Sequence, residues 1–326
     1  MPKAIRIHEY GGPEVLRWED VEVGDPGAGQ LRIRHAAIGL NYIDIYHRTG
    51  LYPLPSLPWT LGMEGAGRVE AVGEGVTEFQ VGDRIAYASP PVGAYAEVRL
   101  IPADRVVALP DTIDDPTAAA MMLQGMTAQY LLRRTYRVQP GDAILLHAAA
   151  GGVGLIASQW ARQLGALVIG TVGSDEKAEI ARAHGCHHVI VYTRENFVER
   201  VREITNGQGV AVVYDSVGKE TFMGSLDCLR PLGMMVSFGN ASGPVPAFEP
   251  GILSAKGSLF LTRPTLMHYT AQRRDLLASA ADLFDVVAIG AVNIEVRQTY
   301  PLAETAQAHR DLEARKTTGS TVLLPG

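Results

Sequence analysis

One glycine-rich turn, set between an apolar strand and a helix, constrains this chain more than any other feature. Residues 143–148 form a continuous apolar run, as expected of a strand covered on both faces. Ala148-Ala149-Ala150-Gly151-Gly152-Val153-Gly154 follows, and residues 154–164 then carry a helical pattern. The series continues with an apolar strand over 166–172 and a helix over 174–184. That helix has Ser174 or Asp175 as N-cap and Gly185 just past its end. Further strands are expected at 189–192, 210–215 and 234–238. Strands alternating with helices predict a doubly wound parallel α/β sheet with right-handed crossovers. The first third reads differently. Residues 31–36, 65–73 and 83–87 alternate as half-buried strands do, between glycines and prolines, and predict a small twisted barrel.

The turn stands where a dinucleotide fingerprint requires small residues. The chain must turn sharply, the backbone must approach a pyrophosphate, and the helix must pack closely on the strand. Amide groups and the helix dipole then favour the phosphates. The match to G-x-G-x-x-G is imperfect, because Ala149 takes the place of the first glycine. A tight turn without a ligand is the plainer reading. A Walker-type loop is excluded, since Leu155 and Ile156 follow Gly154.

An NAD-selecting carboxylate normally lies about 20 residues beyond the glycines. Here that position falls in Gly173-Ser174-Asp175-Glu176-Lys177. Ser174 and Lys177 share one side of a first helical turn and suit a 2′-phosphate, which argues for NADPH. Two other readings stay open. Asp175 is an acceptor for the ribose if the boundary shifts by one, and Ser174 is otherwise a simple cap beside a solvated lysine. Ser174-x-x-Lys177 also has the form of a serine–lysine nucleophile pair, but its companion motifs are absent.

The chain has 326 residues, enough for two domains of ordinary size. Its formal net charge of −6 argues against a nucleic-acid coat. The two cysteines, Cys186 and Cys228, cannot build a disulfide framework. No apolar run approaches the roughly 20 residues of a membrane span. The N-terminus leads into alternating residues, and the expectation is a cytoplasmic protein.

The block 141–154, followed by Gln159 and Arg162, resembles the signature of the quinone oxidoreductase/zeta-crystallin family, the zinc-free branch of the medium-chain dehydrogenase/reductases. The segments 41–52, 61–67, 81–85, 124–128, 237–240 and 315–320 are similar to further blocks of that family, so the likeness covers nearly the whole chain. The resemblance implies a chaperonin-10-like β-barrel catalytic domain over 1–124, a Rossmann domain over 125–264 and a return segment over 265–326. It implies a cleft between the domains and a homodimer joined through Rossmann-sheet edges. NADPH is the implied cofactor. Asn41, Tyr46 and Thr127 would hold its nicotinamide end; Phe238, Gly239 and Asn240 would line it nearby. Gly151, Gly152 and Val153 would meet the pyrophosphate. Ser174, Lys177, Tyr192 and Arg315 would surround the 2′-phosphate, Arg315 on the strength of the likeness alone.

Zinc-dependent relatives carry a cysteine near Asn41 and a Gly-His-Glu near residue 63. This chain has Leu40-Asn41 and Gly62-Met63-Glu64, and no metal site is expected. Without zinc to acidify an alcohol, hydride removal is hard, whereas an electron-poor quinone accepts hydride readily. Asn41, Tyr46 and Tyr52 are the candidates to steady a developing oxyanion; Tyr52 reads equally well as a packing residue. The resulting expectation is an NADPH:quinone oxidoreductase acting on a quinone or related electrophilic carbonyl. The alternatives are an NADPH-dependent enone or alkenal reductase, and a non-catalytic NADPH-binding protein that is structural or binds RNA.

Overall fold

The computed structural model describes residues 1–326 and divides them into two compact units. The first comprises residues 1–124, 270–284 and 294–326; the second comprises 125–269 and 285–293.

In the first unit, β1 (Lys3–Ile7) pairs antiparallel with β2 (Arg17–Asp20). The long strand β3 (Gln30–Leu40) alternates buried and more exposed residues over its first half, then is buried throughout from Ala37. It leads into α1 (Tyr42–Thr49), which ends at Gly50, a residue with φ of 80°. Strand β4 (Trp59–Thr60) completes a three-stranded sheet with β1 at its centre. The strands β5 (Glu64–Val72), β6 (Arg84–Ala88), β7 (Val98–Pro102) and β8 (Val107–Ala108) belong to a second sheet. There β3 pairs with both β5 and β7, so the sheet branches around one strand. Ile33, Ile38, Val69, Ile85, Tyr87 and Ile101 fill the core that these strands enclose.

Helix α2 (Asp115–Tyr130) carries the boundary between the units, and a π-helical turn, Leu131–Thr135, follows it. The second unit then runs β9 (Ala143–Leu146), α3 (Gly152–Gln163), β10 (Leu167–Val172), α4 (Asp175–Ala183), β11 (His188–Val191) and α5 (Phe197–Ile204). It continues with β12 (Val210–Asp215), α6 (Phe222–Cys228), β13 (Leu229–Ser237), α7 (Gly251–Ala255), β14 (Phe260–Thr262) and α8 (Leu266–Tyr269). All six strands are parallel, in the order β11-β10-β9-β12-β13-β14. The two halves wind outward from the neighbours β9 and β12. That places a topological switch point at the carboxyl ends of those two strands, where ligands of open α/β sheets bind.

The chain returns through α9 (Arg273–Ala288), β15 (Val296–Pro301), α10 (Thr305–Glu313) and β16 (Ser320–Leu324). Strand β16 pairs antiparallel with β3, and β15 lies parallel to β16 at the sheet's end. The return falls at Thr270, not at the expected residue 265. The reason is Tyr269, whose ring stacks on Tyr130 with centroids 4.4 Å apart and whose hydroxyl accepts from Thr135 Oγ1 at 2.8 Å. Residues 285–293 also belong to the second unit, where Gln159 exchanges two hydrogen bonds with the Asn293 backbone.

Arg48 ties the return segment to α1. Its side chain is almost fully buried and donates to Gly11 O at 3.1 Å, His309 Nδ1 at 3.0 Å and the Glu313 carboxylate at 2.7 and 3.1 Å. Removing it strands a buried imidazole acceptor and a carbonyl. Arg48→Met should therefore lower the unfolding free energy by about 3 kcal/mol in urea titrations; a loss below about 1 kcal/mol would show that the cluster adds little.

Candidate functional site

In the second unit the glycine-rich turn forms as the spacing predicts, at the carboxyl end of β9 and so at the switch point. Gly151 is the N-cap of α3 and supplies no side-chain oxygen, so the first-turn amides are capped by no residue of their own. Gly154 lets the helix sit directly on the strand end: a Cβ there would lie 2.4 Å from Ala148 O and 2.7 Å from Ala149 O. The alanine at the first fingerprint position is accommodated by its neighbour strand. Gly170 of β10 leaves the room, since a Cβ on it would come within 2.6 Å of Ala149 Cβ. The sharp turn itself is made one residue earlier, at Ala148, with φ of 53°.

Buried side chains fix the strand ends around this turn. His147 bonds Thr171 Oγ1 through Nδ1 at 2.8 Å and Ser225 Oγ through Nε2 at 2.9 Å. The Ser225 hydroxyl donates to Thr221 O at 2.8 Å, so Nε2 carries the imidazole proton and Nδ1 accepts. Burial lowers the His147 pKa, against the opposing pull of the Asp215 carboxylate. Asp215 accepts from Val217 N, Gly218 N and Thr221 Oγ1 at 2.7 to 3.0 Å. Together these bonds pin the carboxyl ends of β9, β10 and β12.

The same edge carries the other expected residues of this unit. Ser174 is the N-cap of α4, its Oγ accepting from Lys177 N at 3.3 Å, and Gly185 beyond the helix has φ of 103°. Tyr192, just after β11, lies over Gly173, where a Cβ would meet its hydroxyl at 2.8 Å. Phe238 and Gly239, just after β13, donate to Asp215 O at 2.8 and 3.3 Å. Asn240, with its amide turned to satisfy both ends, donates to Gly239 O and accepts from Arg263 at 3.2 Å. Arg263 also donates to Ser237 O at 3.0 Å. Thr127 is buried on α2. The strand order therefore brings the turn, 173–177, 192 and 238–240 to one rim of the sheet. An open helix N-terminus, a hydroxyl and an ammonium along that rim match a dinucleotide with a phosphorylated ribose.

In the first unit Asn41 is the buried N-cap of α1, and its side chain is held at both ends. Nδ2 donates to Glu64 Oε2 at 2.7 Å, and Oδ1 accepts from Gln124 Nε2 at 3.1 Å. Glu64 Oε1 accepts from Leu123 N at 2.7 Å, and Gln124 Oε1 accepts from Ser320 Oγ at 2.7 Å. One amide N–H of Asn41 is left for another acceptor. Tyr46 and Tyr52 meet edge to face with centroids 5.2 Å apart, and Tyr42 adjoins Tyr46 at 6.3 Å. The structure thus joins the two tyrosines expected at the site. Arg315 belongs to this unit too, exposed and with φ of 57° just after α10. No group of three or more His, Cys, Asp or Glu side chains is placed to hold a metal ion.

A second buried network escaped the sequence reading. Arg48 donates to His309 Nδ1, so Nε2 donates to Tyr95 Oη at 3.1 Å, and Tyr95 donates to Asp44 Oδ2 at 2.8 Å. Asp44 also accepts from Asn41 N at 2.9 Å, closing the first turn of α1. Burial pushes Asp44 up to about 7 and Glu64 up to about 8. Burial pushes His35 and His309 down to about 3 and His47 down to about 4.

The signs of these shifts differ. A carboxyl with a raised folded pKa binds more protons than the unfolded chain does, so stability falls as pH rises from about 4 to about 8. A histidine with a depressed pKa acts oppositely, but only below its unfolded value of about 6.5. The carboxyls therefore stand alone among these groups between about pH 6.5 and 8. Thermal melts should fall across that interval, and Glu64→Gln should flatten the fall whatever its effect on absolute stability. An unchanged slope in the variant would remove Glu64 as its source.

Comparison with known proteins matches two family models in succession along the chain. A family model described as alcohol dehydrogenase GroES-like domain matches residues 27–111, and one described as zinc-binding dehydrogenase matches residues 152–285. The chain is 56% identical to a quinone oxidoreductase of Pseudomonas aeruginosa over 325 residues, covering 100% of both chains. It is 51% identical to a 2-haloacrylate reductase of a Burkholderia species, covering 100% of this chain and 99% of that one. The crystal structure of Escherichia coli quinone oxidoreductase complexed with NADPH superposes with a TM-score of 0.98 at 49% identity, covering 99% of this chain and 100% of that one. On this evidence the chain is an oxidoreductase that belongs to the quinone oxidoreductase family of medium-chain dehydrogenase/reductases.

Proposed function

We propose that this chain binds NADPH and uses it to reduce quinones. The observation that carries the cofactor reading is the rim of the parallel sheet: an α3 N-terminus capped only by glycine, with Ser174 and Lys177 at the neighbouring strand end where NAD-selective sites place an acid. The likeness to a protein crystallised with NADPH supports it. When bound, NADPH supplies the hydride.

The chain's own residues bind and orient. The turn Gly151-Gly152-Val153 meets the pyrophosphate, with the Gly152 and Val153 amides as donors because Gly151 N already donates to Ala148 O at 2.9 Å, and Gly154 keeps them at the strand end. Ser174, Lys177 and Tyr192 receive the 2′-phosphate, with Arg315 assigned there by family likeness alone. Family likeness assigns Thr127, Phe238, Gly239, Asn240, Asn41 and Tyr46 to the nicotinamide end. Asn41 is suited to that task because Glu64 and Gln124 fix its amide, so one N–H keeps a set direction. That N–H and the Tyr46 and Tyr52 hydroxyls are the donors for oxyanion charge that develops on the acceptor. Quinones suit such a site, since they need alignment and a few donors more than they need a strong acid. The family likeness also supports a homodimer.

A second reading has one specific observation in its favour. The relative at 51% identity is a 2-haloacrylate reductase, so an α,β-unsaturated acceptor fits the same donors. Steady-state turnover of the purified chain with NADPH and, in turn, benzoquinone, naphthoquinone, an enone and 2-chloroacrylate separates the two. The proposal expects the quinones to give the highest kcat/KM. A higher value for the enone or the chloroacrylate would transfer the assignment to alkene reduction.

A further inference from the structure

The rim that selects the cofactor contains a carboxylate, Asp175, in the first turn of α4 between Ser174 and Lys177. A free acid there would accept a ribose hydroxyl and repel a ribose phosphate. In this fold it is not free. Arg194 grips it with both guanidinium nitrogens, Nη1 to Oδ2 and Nη2 to Oδ1, each at 2.5 Å. The bond is reached because the loop after β11 is laid along the end of β10. Tyr192 N donates to Val172 O at 3.1 Å, Thr193 Oγ1 to Gly173 O at 3.3 Å, and Arg194 N to Val191 O at 3.1 Å.

The pair is exposed, with side-chain accessibilities of 56% for Arg194 and 70% for Asp175. Exposed pairs contribute little to stability. Its consequence lies in what it does to the charge beside Lys177. With Asp175 bidentately paired, the guanidinium offsets its negative charge beside the sugar end of the rim. We propose that Arg194 is a cofactor-specificity residue that acts through Asp175, masking an acid that would otherwise favour an unphosphorylated ribose.

This inference rests on the reading that residues 174–192 receive the phosphorylated ribose. The test is a double-mutant cycle over Arg194→Ala, Asp175→Asn and the double variant. Dissociation constants for NADPH and for NADH are measured on each intact protein by fluorescence titration. The quantity read is the NADPH-over-NADH preference, which a merely structural loss would leave alone because it would weaken both cofactors equally. Arg194→Ala should cut the preference about tenfold, the size expected of one uncovered carboxylate facing a phosphate dianion near solvent. Asp175→Asn should keep it, and adding Asp175→Asn to Arg194→Ala should restore it to within about twofold. A double variant as poor as Arg194→Ala would mean that the guanidinium touches the phosphate itself, and would overturn the masking role. An unchanged preference in Arg194→Ala would overturn it as well. If the wild-type protein showed no preference for NADPH, the underlying cofactor reading would fail first, and visibly so.

Discussion

The structure of the second unit depends on a Cβ that is not there. Helix α3 can begin at the end of β9 because Gly154 presents only hydrogen to the carbonyls of Ala148 and Ala149. Any larger residue would push the helix off the strand and carry its first-turn amides with it. The consequence is electrostatic as much as steric. Unpaired amides and a helix dipole are brought to the switch point of the sheet, where neighbouring strands diverge. The His147 and Asp215 networks hold the surrounding strand ends together through the chain's own hydrogen bonds.

The first unit solves a different problem. Asn41, Tyr46 and Tyr52 lie at the start of, within and just after a helix of only two turns, too short to be ordered by propensity alone. Its order comes from buried polar bonds. Asp44 closes the first turn, Glu64 and Gln124 clamp the Asn41 amide, and Arg48 links the helix to α10. Two carboxyls with raised pKa values sit in this cluster because burial disfavours their charge and no cation bonds them directly. Their hydrogen bonds to amides and to Tyr95 make the burial tolerable. Asn41 is thus bonded to the Glu64 carboxyl, and Met63 beside it lies in the core.

Much of this was legible in the residues, for local reasons. Strand and helix periodicity, the Ser174 cap, Gly185 past α4 and the spacing of Gly151 and Gly154 are set within a few positions of one another, and the fold follows them. What stayed hidden is long-range. Glu64 meets Asn41 across 23 positions, Gln124 meets Asn41 across 83, and Ser320 meets Gln124 across 196. No periodicity encodes such pairings. Asp175 looked like an ambiguous ribose acceptor because its partner Arg194 lies 19 residues on, in a loop after the next strand. The late return at Thr270 was equally invisible, since it turns on one tyrosine stacking against another 139 positions earlier (269 − 130).

The central claim is that the rim of the parallel sheet is built for a dinucleotide that carries a ribose phosphate. Calorimetric titration of the unmodified protein with NADPH and with NADH tests it most directly, without reference to any acceptor. One saturable site per chain is expected, taking NADPH about tenfold or more tighter than NADH. Equal affinity for the two would remove the phosphate from the explanation, and no heat with either would contradict the account at its base.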